Sequence, residues 1–183
     1  MPAHTVIGGG PYLGSKSKLQ TYVFYSDDDG HTCRRSADSM TAVGRGCYEP
    51  SIAERKNGQL LCFLRNTNQC IFRATSDDQG DYWPKPEPPD LITPESPSLL
   101  KRIPKTGDLL LVWNRVASKT NTRRSMVTAA ISLNDGDIWH HVQHTESAAE
   151  RDAAYTSVFF RMPRCSWPVT RGIGVGRTMR RSC

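Results

Sequence analysis

Apolar residues in this chain come in short bursts separated by glycine, proline and acidic residues. Thr21 to Tyr25, Ser51 to Ala53, Leu60 to Leu64 and Ile71 to Thr75 each read as a strand, being brief and bounded by turn formers. A further strand after Trp83 is poorly marked, because the proline-rich PKPEPPD intrudes. Two longer segments share one layout: EPSIAERKNGQLLCFLR (Glu49 to Arg65) and SPSLLKRIPKTGDLLLVWN (Ser96 to Asn114) each run Pro-Ser-apolar, then glycine, then an apolar strand ending in a polar residue. A third start, YTSVFF (Tyr155 to Phe160), begins the same unit and does not complete it. The pattern predicts four-stranded antiparallel units and an all-β fold.

A second motif recurs in step with these strands. SDDDGHTC, SDDQGDYW and SLNDGDIW begin at Ser26, Ser76 and Ser132, so they are 50 and 56 residues apart, a spacing that suits propeller blades. An EF-hand is excluded: with Gly80 at loop position 6, positions 1 and 12 fall on Thr75 and Pro86. A hairpin turn fits the chemistry instead, since glycine supplies positive φ, the aspartate accepts backbone N–H bonds and the tryptophan can bury itself. These octapeptides are therefore read as structural staples between the third and fourth strands of a unit.

The 24 basic and 18 acidic residues leave a formal net charge of +6. That excess lies in residues 161–183, which hold six arginines and no acid, so the rest of the chain is balanced. The tail RMPRCSWPVTRGIGVGRTMRRSC shows no strand alternation, which points to a reading-frame shift or a damaged gene end, with an RNA-binding arm as the alternative. The six cysteines form no CxxC pair and match no zinc spacing, and Cys62 and Cys70 read as buried thiols. GGGPYLGSKS (Gly8 to Ser17) reads as a flexible loop and not as a phosphate loop, because Gly14 is followed by Ser15 where lysine is required. No basic-then-apolar leader or membrane-length run is present, so the chain reads as soluble, cytoplasmic or secreted from a longer parent.

The octapeptide resembles the Asp-box of sialidases, Ser-x-Asp-x-Gly-x-Thr-Trp, which recurs on blades of a six-bladed β-propeller. The matching positions are Ser26, Asp28 and Gly30; Ser76, Asp78, Gly80 and Trp83; and Ser132, Asn134, Gly136 and Trp139, with Cys33 replacing the first tryptophan and Asn134 an aspartate. In sialidases a Glu-Pro pair opens a blade, and its glutamate is the base partner of a nucleophilic tyrosine. The resemblance implies that Glu49 is that base, that Tyr155 in AAYTSVFF is the nucleophile, and that Arg65 in CFLRN grips the substrate carboxylate. Arg124, eight residues ahead of Ser132, is implied as a second such arginine, with Arg123 as the fallback, and Asn114 joins them as a substrate-binding position. These residue types suit the chemistry: a neutral phenol avoids repulsion by the carboxylate on the anomeric carbon, and guanidinium forks bind that carboxylate bidentately.

The resemblance therefore implies a partial six-bladed propeller over residues 1–160, with one part-blade, two fuller blades and the start of a fourth, followed by the atypical tail at 161–183. About 50 residues per blade would require roughly 300 for closure, so the chain reads as a piece whose partners include the remaining blades of its parent. The implied activity is exo-α-sialidase-like hydrolysis of a sialylated or other acidic glycan, without metal or organic cofactor and without a nucleic-acid partner. The family's third arginine and its aspartate acid/base have no counterpart, since RIP at Arg102 to Pro104 is misplaced, so the chain itself reads as inactive. The alternatives are a non-catalytic propeller that binds glycans or proteins, and a degenerate gene product. The four implied site residues should share one face, opposite the octapeptide turns, with Glu49 within hydrogen-bond reach of Tyr155.

Overall fold

The computed structural model describes residues 2–7, 18–116, 120–147, 151–161, 164–168, 170–171 and 178–179. The loop expected at Gly8 to Ser17 and most of the Arg-rich tail lie outside the described residues. The chain divides into two compact units, Met1–Leu91 and Ile92–Cys183. Every strand pairing in them is antiparallel, and no helix occurs among the described residues.

The first unit contains two three-stranded sheets. One joins β1 (Pro2–Ile7), β2 (Lys18–Tyr25) and β3 (Arg34–Arg35) in that order, and the other joins β4 (Tyr48–Glu54), β5 (Leu60–Arg65) and β6 (Phe72–Ser76). Strand β1 corrects the expectation that the chain opens on Thr21 to Tyr25. PAHTVI carries little strand signal of its own, and its pairing with residues 18–23 is supplied by the free edge of β2. Alternation in β2 turns Leu19, Thr21 and Val23 inward. Val23 joins Cys47, Cys62, Leu64, Cys70, Phe72 and Trp83 in one apolar cluster. Strand β5 is buried on both faces, which is why LLCFL is a continuous apolar run and not an alternating one.

The poorly marked fourth strand reduces to a single bridge. The N–H of Arg73 donates to the Glu87 carbonyl at 2.8 Å, and the N–H of Glu87 donates back at 2.9 Å. Prolines at 84, 86, 88 and 89 lack the N–H that a longer ladder needs.

The second unit contains a complete four-stranded sheet of β7 (Leu99–Arg102), β8 (Leu109–Asn114), β9 (Met126–Ser132) and β10 (His140–Ser147), in the order β10-β9-β8-β7. Beyond it, β11 (Ala153–Ala154) pairs with β14 (Thr170–Arg171). β12 (Phe159–Arg161) pairs with β13 (Arg164–Pro168), which also carries β15 (Thr178–Met179). Within the tail, whose sequence shows no strand alternation, residues 164–168 pair with β12 through the backbone. Leu110, Val112, Val127, Ala153 and Val158 form the apolar cluster of this unit.

The three Ser-x-Asp/Asn-x-Gly turns are built alike. The serine hydroxyl accepts the glycine N–H, at 2.7 Å for Ser26 and Gly30, 2.9 Å for Ser76 and Gly80, and 2.8 Å for Ser132 and Gly136. The same hydroxyl donates to the acceptor oxygen of Asp28, Asp78 or Asn134. That oxygen accepts a second N–H across the turn, from Thr32 at 2.8 Å, Tyr82 at 3.0 Å and Ile138 at 2.9 Å. The residue before each glycine, Asp29, Gln79 or Asp135, shares its positive φ, which the sequence pattern did not reveal. Trp83 is buried and donates its indole N–H to the Gly80 carbonyl at 2.9 Å, whereas Trp139 is half-buried and Cys33 is exposed.

Candidate functional site

In the first unit, Tyr48 at the start of β4 lies opposite Arg65 at the end of β5, while Leu60 at the other end of β5 lies opposite Ser76. The turn at Ser76 and the Glu49–Arg65 pair are therefore at opposite ends of one sheet, roughly 17 Å apart at about 3.4 Å per residue. The second unit repeats this arrangement: Asn114 lies opposite Val127, and Leu109 opposite Ser132, at which the octapeptide turn begins.

Arg65 donates from Nη1 to Glu49 Oε2 at 2.8 Å, with the two side chains 10% and 22% exposed. Its guanidinium carbon sits 4.9 Å from the centre of the Tyr48 ring, and that of Arg45 is 5.7 Å from the same ring. Tyr48 is buried, so it forms a fixed aromatic floor under two cations. Glu49 has φ of 48°, and a register irregularity separates Tyr48 from Ser51. The kink lets successive residues depart from simple alternation, so Tyr48 can fill the core while Glu49 meets Arg65.

The loop before β4 is held by Asn66, which is fully buried. Its amide donates to the carbonyls of Val43 at 2.9 Å and Gly46 at 2.8 Å, and its Oδ1 accepts the N–H of Asn68 at 2.7 Å. Gly46 has φ of 91°, and a Cβ there would lie 1.8 Å from the Leu19 carbonyl oxygen, so only glycine permits this approach to β2.

In the second unit the Arg124 guanidinium carbon lies 5.9 Å from the centre of the Tyr155 ring, and Nη2 donates to the Glu95 carbonyl at 2.5 Å. Tyr155 has φ of 55° and is 54% exposed. Asn114 departs from its expected substrate-binding place. It is buried, and its amide donates to the carbonyls of Arg124 at 3.2 Å, Met126 at 3.3 Å and Ala153 at 2.7 Å. An amide so engaged is turned inward and has no donor to offer a substrate.

The structure thus joins Glu49 with Arg65 in one unit and Arg124 with Tyr155 in the other. Tyr48, Arg45 and Asn66 were not singled out from the sequence, although Tyr48 and Asn66 directly adjoin Glu49 and Arg65. Among the described residues no group of three His, Cys, Asp or Glu is placed to hold an ion. Cys47, Cys62 and Cys70 are buried in the apolar cluster, as expected for Cys62 and Cys70. Burial pushes the Cys47 thiol up to about 12 and raises Cys62 as well, so neither offers a thiolate.

Residues 4–162 match the BNR repeat-like domain family. No curated protein matches the chain. Among solved structures, Trypanosoma rangeli sialidase is similar with a TM-score of 0.64 and 17% identity, covering 85% of this chain and 26% of that one. The NanB sialidase of Streptococcus pneumoniae gives 0.62 and 19%, covering 83% and 24%, and a protein of unknown function from Dyadobacter fermentans gives 0.65 and 20%, covering 90% and 44%. The chain spans about a quarter of the two sialidases and less than half of the third protein. These likenesses and the antiparallel blades make the fold class all-β, a partial β-propeller of the sialidase kind.

Proposed function

The chain belongs to the BNR repeat-like domain family, and on that footing we propose that it carries part of the site of a sialidase-like glycoside hydrolase that releases terminal sialic acid from glycans. One observation carries this reading. At the sheet end away from the Ser-x-Asp/Asn turn, each unit sets an arginine against the residue that the resemblance makes base or nucleophile: Arg65 on Glu49, and Arg124 over Tyr155.

In this reading Arg65 and Arg124 are carboxylate-binding residues, each of its own unit, because a guanidinium fork matches a carboxylate bidentately. The resemblance gives Tyr155 the role of nucleophile, its oxygen bonding to the anomeric carbon as the aglycone leaves and its phenolic proton passing to a base, and it gives Glu49 the role of such a base. Water then cleaves the tyrosyl glycoside with retention. The departing oxygen needs a proton from a general acid, and no residue of this chain is assigned that task.

The test is saturation-transfer NMR of the chain with N-acetylneuraminic acid and, separately, its methyl ester. The acid should give a response at millimolar concentration that the ester lacks and that Arg65→Ala or Arg124→Ala abolishes. Equal responses from acid and ester, or none from the acid, would overturn the proposal.

A further inference from the structure

Two of the seven non-glycine residues with positive φ among the described residues occupy the same place in the repeated unit. Glu49 (48°) opens Glu-Pro-Ser-Ile and Tyr155 (55°) opens Tyr-Thr-Ser-Val. A left-handed conformation is costly for either residue, and most of all for an aromatic one. It persists only where the surroundings over-determine the backbone.

Each is preceded by a segment gripped by a buried asparagine amide. Asn66 donates to the carbonyl of Gly46, three residues before Glu49, and to that of Val43. Asn114 donates to the carbonyl of Ala153, two residues before Tyr155, and to those of Arg124 and Met126. Ala153 is bound a second time through its N–H, which donates to the Arg124 carbonyl at 2.8 Å. Both asparagines are buried, so releasing them would leave carbonyls without a donor in the interior. Each anchor makes the backbone just before the residue rigid: Glu49 is the second residue of β4, and Tyr155 directly follows β11, so in each case the bend falls on the residue next to the anchored segment.

We infer that Asn66 and Asn114 are positioning residues, whose amides hold Glu49 and Tyr155 in left-handed backbone conformations. The inference takes Glu49 and Tyr155 as the functional pair from the proposed function, but the device itself is a matter of backbone strain, and its test does not involve a ligand.

The test compares glycine with alanine at each strained position, since both delete the side chain and only alanine objects to positive φ. Tyr155→Gly should melt about 2–4 °C above Tyr155→Ala, and Glu49→Gly above Glu49→Ala by a similar margin. In the Asn114→Ala background the difference at 155 should vanish while that at 49 remains, and in Asn66→Ala the reverse should hold. A second measurement needs no asparagine variant to fold: in the unmodified chain, the side-chain amide protons of Asn66 and Asn114 should exchange with solvent at least tenfold more slowly than that of the exposed Asn57. Equal glycine and alanine midpoints, differences unaffected by the asparagine changes, or free exchange of these amides would each overturn the inference. Loss of sialic acid binding with the strain intact would count against the proposed function alone.

Discussion

Single residues in the octapeptide turns divide into those that shape the backbone and those that tie it to neighbours. Gly80 is buried with φ of 101°, and a Cβ there meets Leu60 Cδ1 at 3.2 Å, so Gly80→Val places a β-branched side chain in a forbidden conformation against a packed one. Asp81 is exposed, yet its Oδ1 accepts from the Tyr25 hydroxyl at 3.1 Å and the Ala37 N–H at 3.2 Å. Gly80→Val should cost about 3 kcal/mol and Asp81→Ala about 1, a difference of several degrees in thermal midpoint; equal midpoints would contradict the turn geometry. Acid titration gives a second test. Hydrogen bonds led by the Thr32 hydroxyl hold Asp28 at about 2, and the Tyr82 N–H lowers Asp78. A carboxylate with a depressed folded-state pKa contributes stability that is fully present above its unfolded value near 3.9 and is lost as pH falls towards the folded value. The third turn makes the same bonds through Asn134, which does not titrate. Asp28→Asn with Asp78→Asn should therefore flatten the loss of stability between about pH 4 and pH 2, checked by urea unfolding across that range.

Among the elements, the sheet edges are the informative parts. β6 is covered on its outer side by the Arg73–Glu87 bridge, because the neighbouring prolines cannot donate. Proline also blunts an edge against pairing with another chain. Glu87→Pro removes the bridge's one returning N–H, which should destabilise the unit by about 1 kcal/mol and speed hydrogen exchange at the Arg73 amide. Unchanged exchange there would show that the bridge contributes no protection. At the opposite extreme, β8 is buried along its whole length, and LLLVWN announces it plainly. β1 was not legible, because an edge strand needs only backbone groups to pair, and its side chains need not alternate.

For the whole molecule, the proposed function leaves a defined gap. On that proposal Tyr155, Glu49, Arg65 and Arg124 would supply a nucleophile, its base and two carboxylate clamps, but no acid for the leaving oxygen, a contribution worth about 10²- to 10⁴-fold. This chain should give no turnover of a fluorogenic sialoside above buffer, and the open edges of its sheets should make it elute from size exclusion as a mixture of species. Robust turnover from a monodisperse monomer would show that the site is complete within these 183 residues.

The all-β class, the repeat and the three turns could be read directly from the chain, because each rests on local chemistry: apolar runs of strand length, glycine where φ is positive, and an acceptor two residues after serine. The Glu49, Arg65, Arg124 and Tyr155 positions came as what the resemblance to sialidases implies, placed by the order of the matching motifs. Tertiary structure alone decided that Asn114 faces inward, that Asn66 anchors the loop before Glu49, and that Glu49 and Tyr155 are left-handed. The reason is physical: the carbonyl partners of these buried amides are 10 to 39 residues away, and no local pattern of polar and apolar positions records which distant carbonyl lacks a donor.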